Sequence, residues 1–153
     1  DNICCIKNAV PSMAHHNEVR RRVGDQIVVC DPDEENFLVS LLHLDMQVHM
    51  SSPTPFLYQV KGYTPIREYY DSAINGDLEN AWQTNYSLES MRKVRKKYFT
   101  TGPDGKTTAY MKEWTTQLGM PSGDPRPPVV SLTKKEKDAF RKDLETTGIL
   151  DKL

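Results

Sequence analysis

Short apolar, β-branched runs alternate with helically spaced segments through the first fifty residues, and none returns beyond Thr64. Ile3-Cys4-Cys5-Ile6 is the first run, Gln26-Ile27-Val28-Val29-Cys30 the second and Met46-Gln47-Val48-His49-Met50 the third. Runs this short and this apolar suit strands covered on both faces. After the first run the sequence predicts a loop from Pro11 to His15. A basic helix follows through Glu18, Val19, Arg20 and Val23, stopped by Gly24. After the second run, Asp31-Pro32-Asp33 turns the chain and supplies a helix cap, with Glu34 and Glu35 at the positive end of the helix. That helix, over 34–43, carries Phe37, Leu38, Leu41 and Leu42 at core-facing spacing. The order β-α-β-α-β-α, then helices alone, reads as three parallel β-α units with an all-helical C-terminal appendix. The division falls at residues 1–75 and 76–153.

From Thr64 onward the chain reads as helices alone. Thr64-Pro65 opens a helix with proline in the first position, where its missing N–H costs nothing. Asp77 caps the next, whose Leu78, Trp82, Leu88, Met91, Val94 and Tyr98 form one apolar stripe. Thr101-Gly102-Pro103-Asp104-Gly105 is a turn. Tyr110, Met111, Trp114 and Leu118 mark a shorter helix, and Pro121 to Pro128 is a connector. Thr133-Lys134-Lys135-Glu136 is a capping box opening a last helix, with Phe140 and Leu144 inward and Gly148 at its end.

Composition excludes several function classes. With 20 Lys and Arg against 21 Asp and Glu, the net charge of −1 argues against a nucleic-acid binder working by bulk electrostatics. The most basic stretch, Arg92 to Lys97, complements a helix C-terminus, and Arg20-Arg21-Arg22 diverge around a helix as a solvated face. No run reaches membrane-spanning length and no basic head precedes an apolar leader, so a cytoplasmic protein is expected. The chain starts abruptly at a strand without methionine, as a processed, split or truncated chain would. Its three cysteines, Cys4, Cys5 and Cys30, fit reduced, buried thiols in predicted strands. Cys4 and Cys5 point to opposite strand faces and cannot clamp one metal. His15, His16, His43 and His49 show no zinc-ligand spacing, so no metal site is expected. His49 reads as a satisfied interior or rim histidine.

Lys7 closes the first run. A lysine at the carboxyl end of a barrel strand stands where α/β barrels keep their chemistry, although most lysines that end strands simply reach solvent.

Several segments together carry a resemblance. Asn2-Ile3-Cys4-Cys5-Ile6-Lys7-Asn8-Ala9 resembles the "N-I-x-G-I-K-x-A" strand of the dihydrodipicolinate synthase / N-acetylneuraminate lyase superfamily. Gly24-Asp25-Gln26-Ile27-Val28-Val29-Cys30, then Asp31-Pro32-Asp33-Glu34, resembles that family's next strand and acidic turn. Ala73-Ile74-Asn75-Gly76-Asp77-Leu78-Glu79 is similar to its "A-x-x-G-D-L/F-E" junction. Leu118-Gly119-Met120-Pro121-Ser122-Gly123 with Arg126-Pro127-Pro128 resembles its "L-G-L-P-x-G-x-x-R-P-P" segment, and Gly148-Ile149-Leu150 closes the likeness. These segments run in the family's order and cover its second half.

The resemblance implies strands six to eight of a (β/α)8 TIM barrel with the helices that follow it. At 153 residues the chain is too short for the whole barrel of about 250. It implies a Schiff-base lyase, an aldolase or dehydratase acting on pyruvate or another 2-oxo acid, with Lys7 as the imine-forming nucleophile and no cofactor. Burial beside Ile6 would favour the neutral, nucleophilic amine. Val48, Ser51 and Ser52 would line the substrate pocket. The family usually carries glycine at Met46 and near Asp31, so the larger residues here bear on the pocket's shape. The family's shuttle tyrosine and its threonine-containing glycine-rich loop belong to earlier strands, and no tyrosine here, such as Tyr58, Tyr63 or Tyr69, matches that motif. Three parallel strands also leave two raw edges. The expected partners are therefore a complementary N-terminal half or a second copy of the chain in a homo-oligomer. The alternative is a catalytically silent half-barrel with an assembly or regulatory role.

Overall fold

In the computed structural model, residues 2–51, 54–100 and 105–153 are described. Strand β1 (Cys5–Lys7) and strand β2 (Val28–Cys30) pair in parallel, with Cys5 opposite Val28, Ile6 opposite Val29 and Lys7 opposite Cys30. Helix α1 (Met13–Val23) crosses between them and helix α2 (Glu34–Leu44) follows β2. The helical remainder comprises α3 (Thr54–Leu57), α4 (Pro65–Ile74), α5 (Leu78–Ser87), α6 (Glu89–Arg95), a π-helical turn at Lys96–Thr100, α7 (Thr107–Gln117), α8 (Lys134–Glu145) and a last 3-10 turn at Leu150–Lys152.

The α/β architecture is present, but the third strand is not. Of the run Met46–Met50, His49 alone forms a single parallel bridge, to Asp31. The run is used at its start to close α2: Asp45 takes a left-handed turn at φ 51°, and the Met46 N–H bonds to Ser40 O at 3.1 Å. Met46 is fully buried, and only a few residues remain to extend along β2.

Local signals explain most helix boundaries. Asp33 caps α2 through the Glu35 N–H, Asp77 caps α5, and Thr133 and Glu136 form a complete capping box on α8. Helix α1 starts earlier than its sequence predicts, at Met13, because the Ser12 hydroxyl accepts from the His15 N–H at 3.3 Å. The long stripe from Leu78 to Tyr98 is divided into α5, α6 and the π turn. Thr54–Leu57 makes a turn of helix. The predicted turn at Thr101–Gly105 lies outside the described residues but for Gly105, which has φ 67°.

The core joins α2 to the appendix. Phe37, Leu38 and Leu41 pack in one cluster with Ile66, Tyr69, Met91, Val94, Trp114, Phe140 and Ile149. Arg92 is 5 % exposed and lies inside this cluster's rim, which corrects the reading of Arg92 to Lys97 as a patch that merely faces a helix end. Its guanidinium donates to both oxygens of the buried Glu34, Nε to Oε2 at 3.0 Å and Nη2 to Oε1 at 2.9 Å, while Tyr69 donates to Oε1 at 3.3 Å. Arg95 and Lys96 reach Glu35 beside it, at 3.4 and 2.6 Å. Burial opposes the charge on Arg92, yet the hydrogen bonds and attraction of Glu34 outweigh it and hold its pKa above the ordinary value. Arg20 is likewise no solvated residue: it donates to the carbonyls of Leu44 and Gly24 and to the carboxylates of Asp25 and Asp45.

Removing one partner of a buried ion pair leaves an uncompensated charge, at a cost of about 3–5 kcal/mol. Arg92→Met is therefore expected to lower unfolding stability by about that amount, read from the midpoint and slope of urea denaturation.

Candidate active site

The register fixes which side chains share a face. Cys5 and Lys7 on β1 fall on the same side as Val28 and Cys30 on β2, while Ile6, Val29 and Asp31 fall on the other. The second side meets the helices. There Val29 is buried, and the buried Asp31 carboxylate accepts from the Asp33 N–H at 2.8 Å and from the Ser40 hydroxyl at 3.2 Å. His16 of α1 lies 3.3 Å from Asp31 through Nδ1 and bonds the Val10 carbonyl at 2.7 Å through Nε2. His49 stacks on Phe37 with ring centroids 4.8 Å apart, its Nδ1 3.3 Å from the Asp31 carbonyl. Burial pushes its pKa below the usual histidine value, so the ring is neutral near pH 7.

The first side is open. Lys7 is exposed there at the carboxyl end of β1, so this chain does not itself supply the enclosure expected beside Ile6. Val28, Val48 and Met50 are 47 %, 39 % and 45 % exposed. The cysteines also differ from expectation: Cys4 is exposed and precedes β1, Cys5 is half-buried, and only Cys30 is buried. Cys5 Sγ stands 3.9 Å from Cys30 Sγ across the sheet, and burial pushes the Cys30 thiol up to about 11.

The predicted pocket residues do not converge equally. Since Asp31 bridges His49, Val48 falls level with Cys30, next to the Lys7–Cys30 pair on the open face. Val48 also lines a cavity of about 210 Å³, but that cavity opens among Gly24, Asp25, Asp45 and Gln47, which precede the paired segments, at the sheet end away from Lys7. The Ser51 hydroxyl is 3.1 Å from that of Thr54 at the start of α3. Ser52 lies outside the described residues. Sequence reasoning missed Asn8, which is buried directly after Lys7; its N–H bonds Cys30 O at 3.0 Å while its Nδ2 has no partner among the described residues. An asparagine one position past a lysine carries no sequence signal of that kind. Among the described residues no group of three or more His, Cys, Asp or Glu could hold a metal ion. No described helix is long and apolar enough to cross a membrane.

Two parallel strands joined through a helix, with helices on one face of the pair, form the repeating unit of an α/β barrel. The chain belongs to the Dihydrodipicolinate synthetase family, which matches it over residues 1–147. Among solved structures it is similar to KD(P)GA from T. tenax, at 20 % identity and TM-score 0.70, covering 97 % of this chain and 47 % of that one. Dihydrodipicolinate synthase from Aquifex aeolicus is similar at 21 % identity and TM-score 0.71, over 97 % of this chain and 46 % of that one. A variant of 2-keto-3-deoxygluconate aldolase from Sulfolobus solfataricus is similar at 13 % identity and TM-score 0.71, over 94 % and 44 %. The chain thus spans about half the length of the structures it resembles. No curated protein matches it.

The depressed pKa of His49 sets a pH dependence. Below about 6.5 the unfolded chain takes up a proton that the folded ring refuses, so stability falls as pH drops through that value. His49→Gln is expected to flatten the fall between pH 7.5 and 5.5, measured by urea denaturation at both values.

Proposed function

We propose that this chain is the nucleophile-bearing half of a class I, Schiff-base lyase acting on pyruvate or a related 2-oxo acid. The observation that carries the reading is Lys7 itself, exposed at the carboxyl end of β1 on the open sheet face. Its neutral amine attacks the C2 carbonyl carbon, the resulting carbinolamine takes up one proton from solvent and loses water, and a protonated imine forms. The imine withdraws electrons from the neighbouring carbon, which permits aldol cleavage, aldol addition or dehydration. Val48 and Ser51 are the wall residues on this reading, as is Ser52. Family membership supports the lyase class, and fold likeness alone leaves activity to be tested.

The open face bears on partners. Val28, Val48 and Met50 form an apolar surface beside unpaired strand edges, and a complementary N-terminal half or a second copy of this chain would cover it. Covering it would also supply the dry surroundings that a nucleophilic lysine needs. Residues 1–75 would then carry the chemistry and residues 76–153 brace them through Arg92 and Glu34. The free thiols of Cys4, Cys5 and Cys30 fit a reducing, cytoplasmic setting.

Two measurements test the proposal. Incubation with pyruvate and borohydride, with any co-purifying chain retained, is expected to leave a pyruvyl adduct on the peptide containing Lys7, absent from Lys7→Arg. Failure to trap an adduct, even with an N-terminal half supplied, would overturn the lyase and favour a silent half-barrel used in assembly. Sedimentation is expected to show a self-associated species or a heteromeric complex; a monomer that unfolds cooperatively would count against the covered face.

A further inference from the structure

We infer that the outward stripe of α5, Leu78, Trp82 and Tyr86 continued by Ile74 at the end of α4, is a docking surface for a basic amphipathic helix of another protein. Ile74, Leu78 and Tyr86 are 55 %, 47 % and 65 % exposed, while Trp82 is half-buried against the core. Successive members stand four residues apart, so on α5 they form one line beside the buried Ala81 and Asn85. The Trp82 and Tyr86 rings are stacked, with centroids 5.6 Å and planes 26° apart, so this aromatic ledge exists before any partner arrives. The core takes Leu88, Met91 and Val94 from the same stretch of chain and leaves the stripe outside. At a rise of about 1.5 Å per residue the line from Leu78 to Tyr86 runs about 12 Å, or about two turns of a helix laid alongside.

Charge selects the partner. From Glu68 to Met91 the chain carries the carboxylates Glu68, Asp71, Asp77, Glu79 and Glu89 and no Lys or Arg, although its totals nearly balance at 20 basic and 21 acidic residues. Arg67 pairs with Asp71 at 2.6 Å, and Lys93 approaches Glu89 at 3.9 Å. Glu68, Asp77 and Glu79 accept only from the Thr64 N–H, the Asn80 N–H and the Gln83 amide among the described residues. Three carboxylates on the helices that carry the stripe therefore have no cation there. A partner helix with apolar anchors flanked by Lys or Arg would cover the ledge and pair those carboxylates. A second copy docking through this same face would set like charge against like, with no Lys or Arg on either α5 to relieve it. Tyrosine and tryptophan are the anchors that most often carry the energy of such contacts. None of these residues lies on β1, β2 or the Met46–Met50 run, so the surface stands apart from the Schiff-base reading.

The test is calorimetric titration of the whole chain with two synthetic helical peptides. Both carry leucine at i, i+4 and i+7; one has lysine at its other positions and the other glutamate. The lysine peptide is expected to bind, more weakly as salt is raised, and the glutamate peptide to bind at least about tenfold more weakly. A blue shift of Trp82 emission is the local signature, because the other tryptophan, Trp114, is already fully buried. Trp82→Ala, and Tyr86→Ala at its more exposed position, are each expected to weaken binding at least about tenfold, with circular dichroism confirming that both fold. Glu79→Lys is expected to weaken it as well. Unchanged binding in both alanine variants would show that the peptide reads charge alone and would overturn the surface. So would a self-associated chain that Tyr86→Ala turns into a monomer, since a second copy then owns the face. Shielding of Trp82 from acrylamide quenching on addition of an N-terminal half would assign the face to that half and overturn the proposal equally.

Discussion

The fork between Arg92 and Glu34 determines how the two parts of this chain meet. The apolar cluster around it, from Phe37 and Leu41 to Trp114 and Phe140, is large but non-directional, and helices packed by such contacts can slide. A bidentate guanidinium–carboxylate pair cannot slide without losing both bonds. Buried pairs contribute little net stability compared with well-packed apolar residues, so register is the better account of its role. Glu35 with Arg95 and Lys96 repeats the match on the outer side of the same contact. Helix α6 is thereby keyed to the first turn of α2, and α2 is the helix that β2 feeds.

The sheet that this bracing supports is finished on one side only. Toward the helices it has a buried valine, a carboxylate with several partners and a stacked histidine. Away from them it presents a lysine, two thiols and three half-exposed apolar side chains. A domain normally closes with a second layer, and here the unfinished side is also the one that carries the proposed nucleophile. On the proposed function, incompleteness and chemistry therefore concern the same surface, and whatever completes the fold also shapes the site.

What could be read in the sequence was local. The capping box of α8, the Asp77 cap and the position of Lys7 at a strand end each depend on residues within four positions of one another. The partner of Arg92 is fifty-eight positions away, and nothing in a basic hexamer says that its first residue is buried. The Met46–Met50 run has the composition of a strand, yet its first N–H belongs to the end of α2, a competition that apolar patterning does not register. The break at Leu88 has no glycine or proline to announce it; that residue stays in the right-handed helical region while the bonding pattern shifts. In the site, the resemblance singled out Lys7 and Val48, but their common face follows from the register of the strands and the Asp31–His49 bridge, and the exposure of Lys7 and the diversion of Ser51 to Thr54 depend on what lies beyond the chain's own sheet.

The strap made by His16 has one more consequence. The Val10 carbonyl has no hydrogen to give, so Nε2 must carry one, and Nδ1 then faces the Asp31 carboxylate. The loop that leaves Lys7 is thus tied to α1 by one buried hydrogen bond, from His16 to the Val10 carbonyl. Water could replace that bond only if α1 lifted from the sheet, which makes the loop's persistence a measure of how firmly that helix is seated.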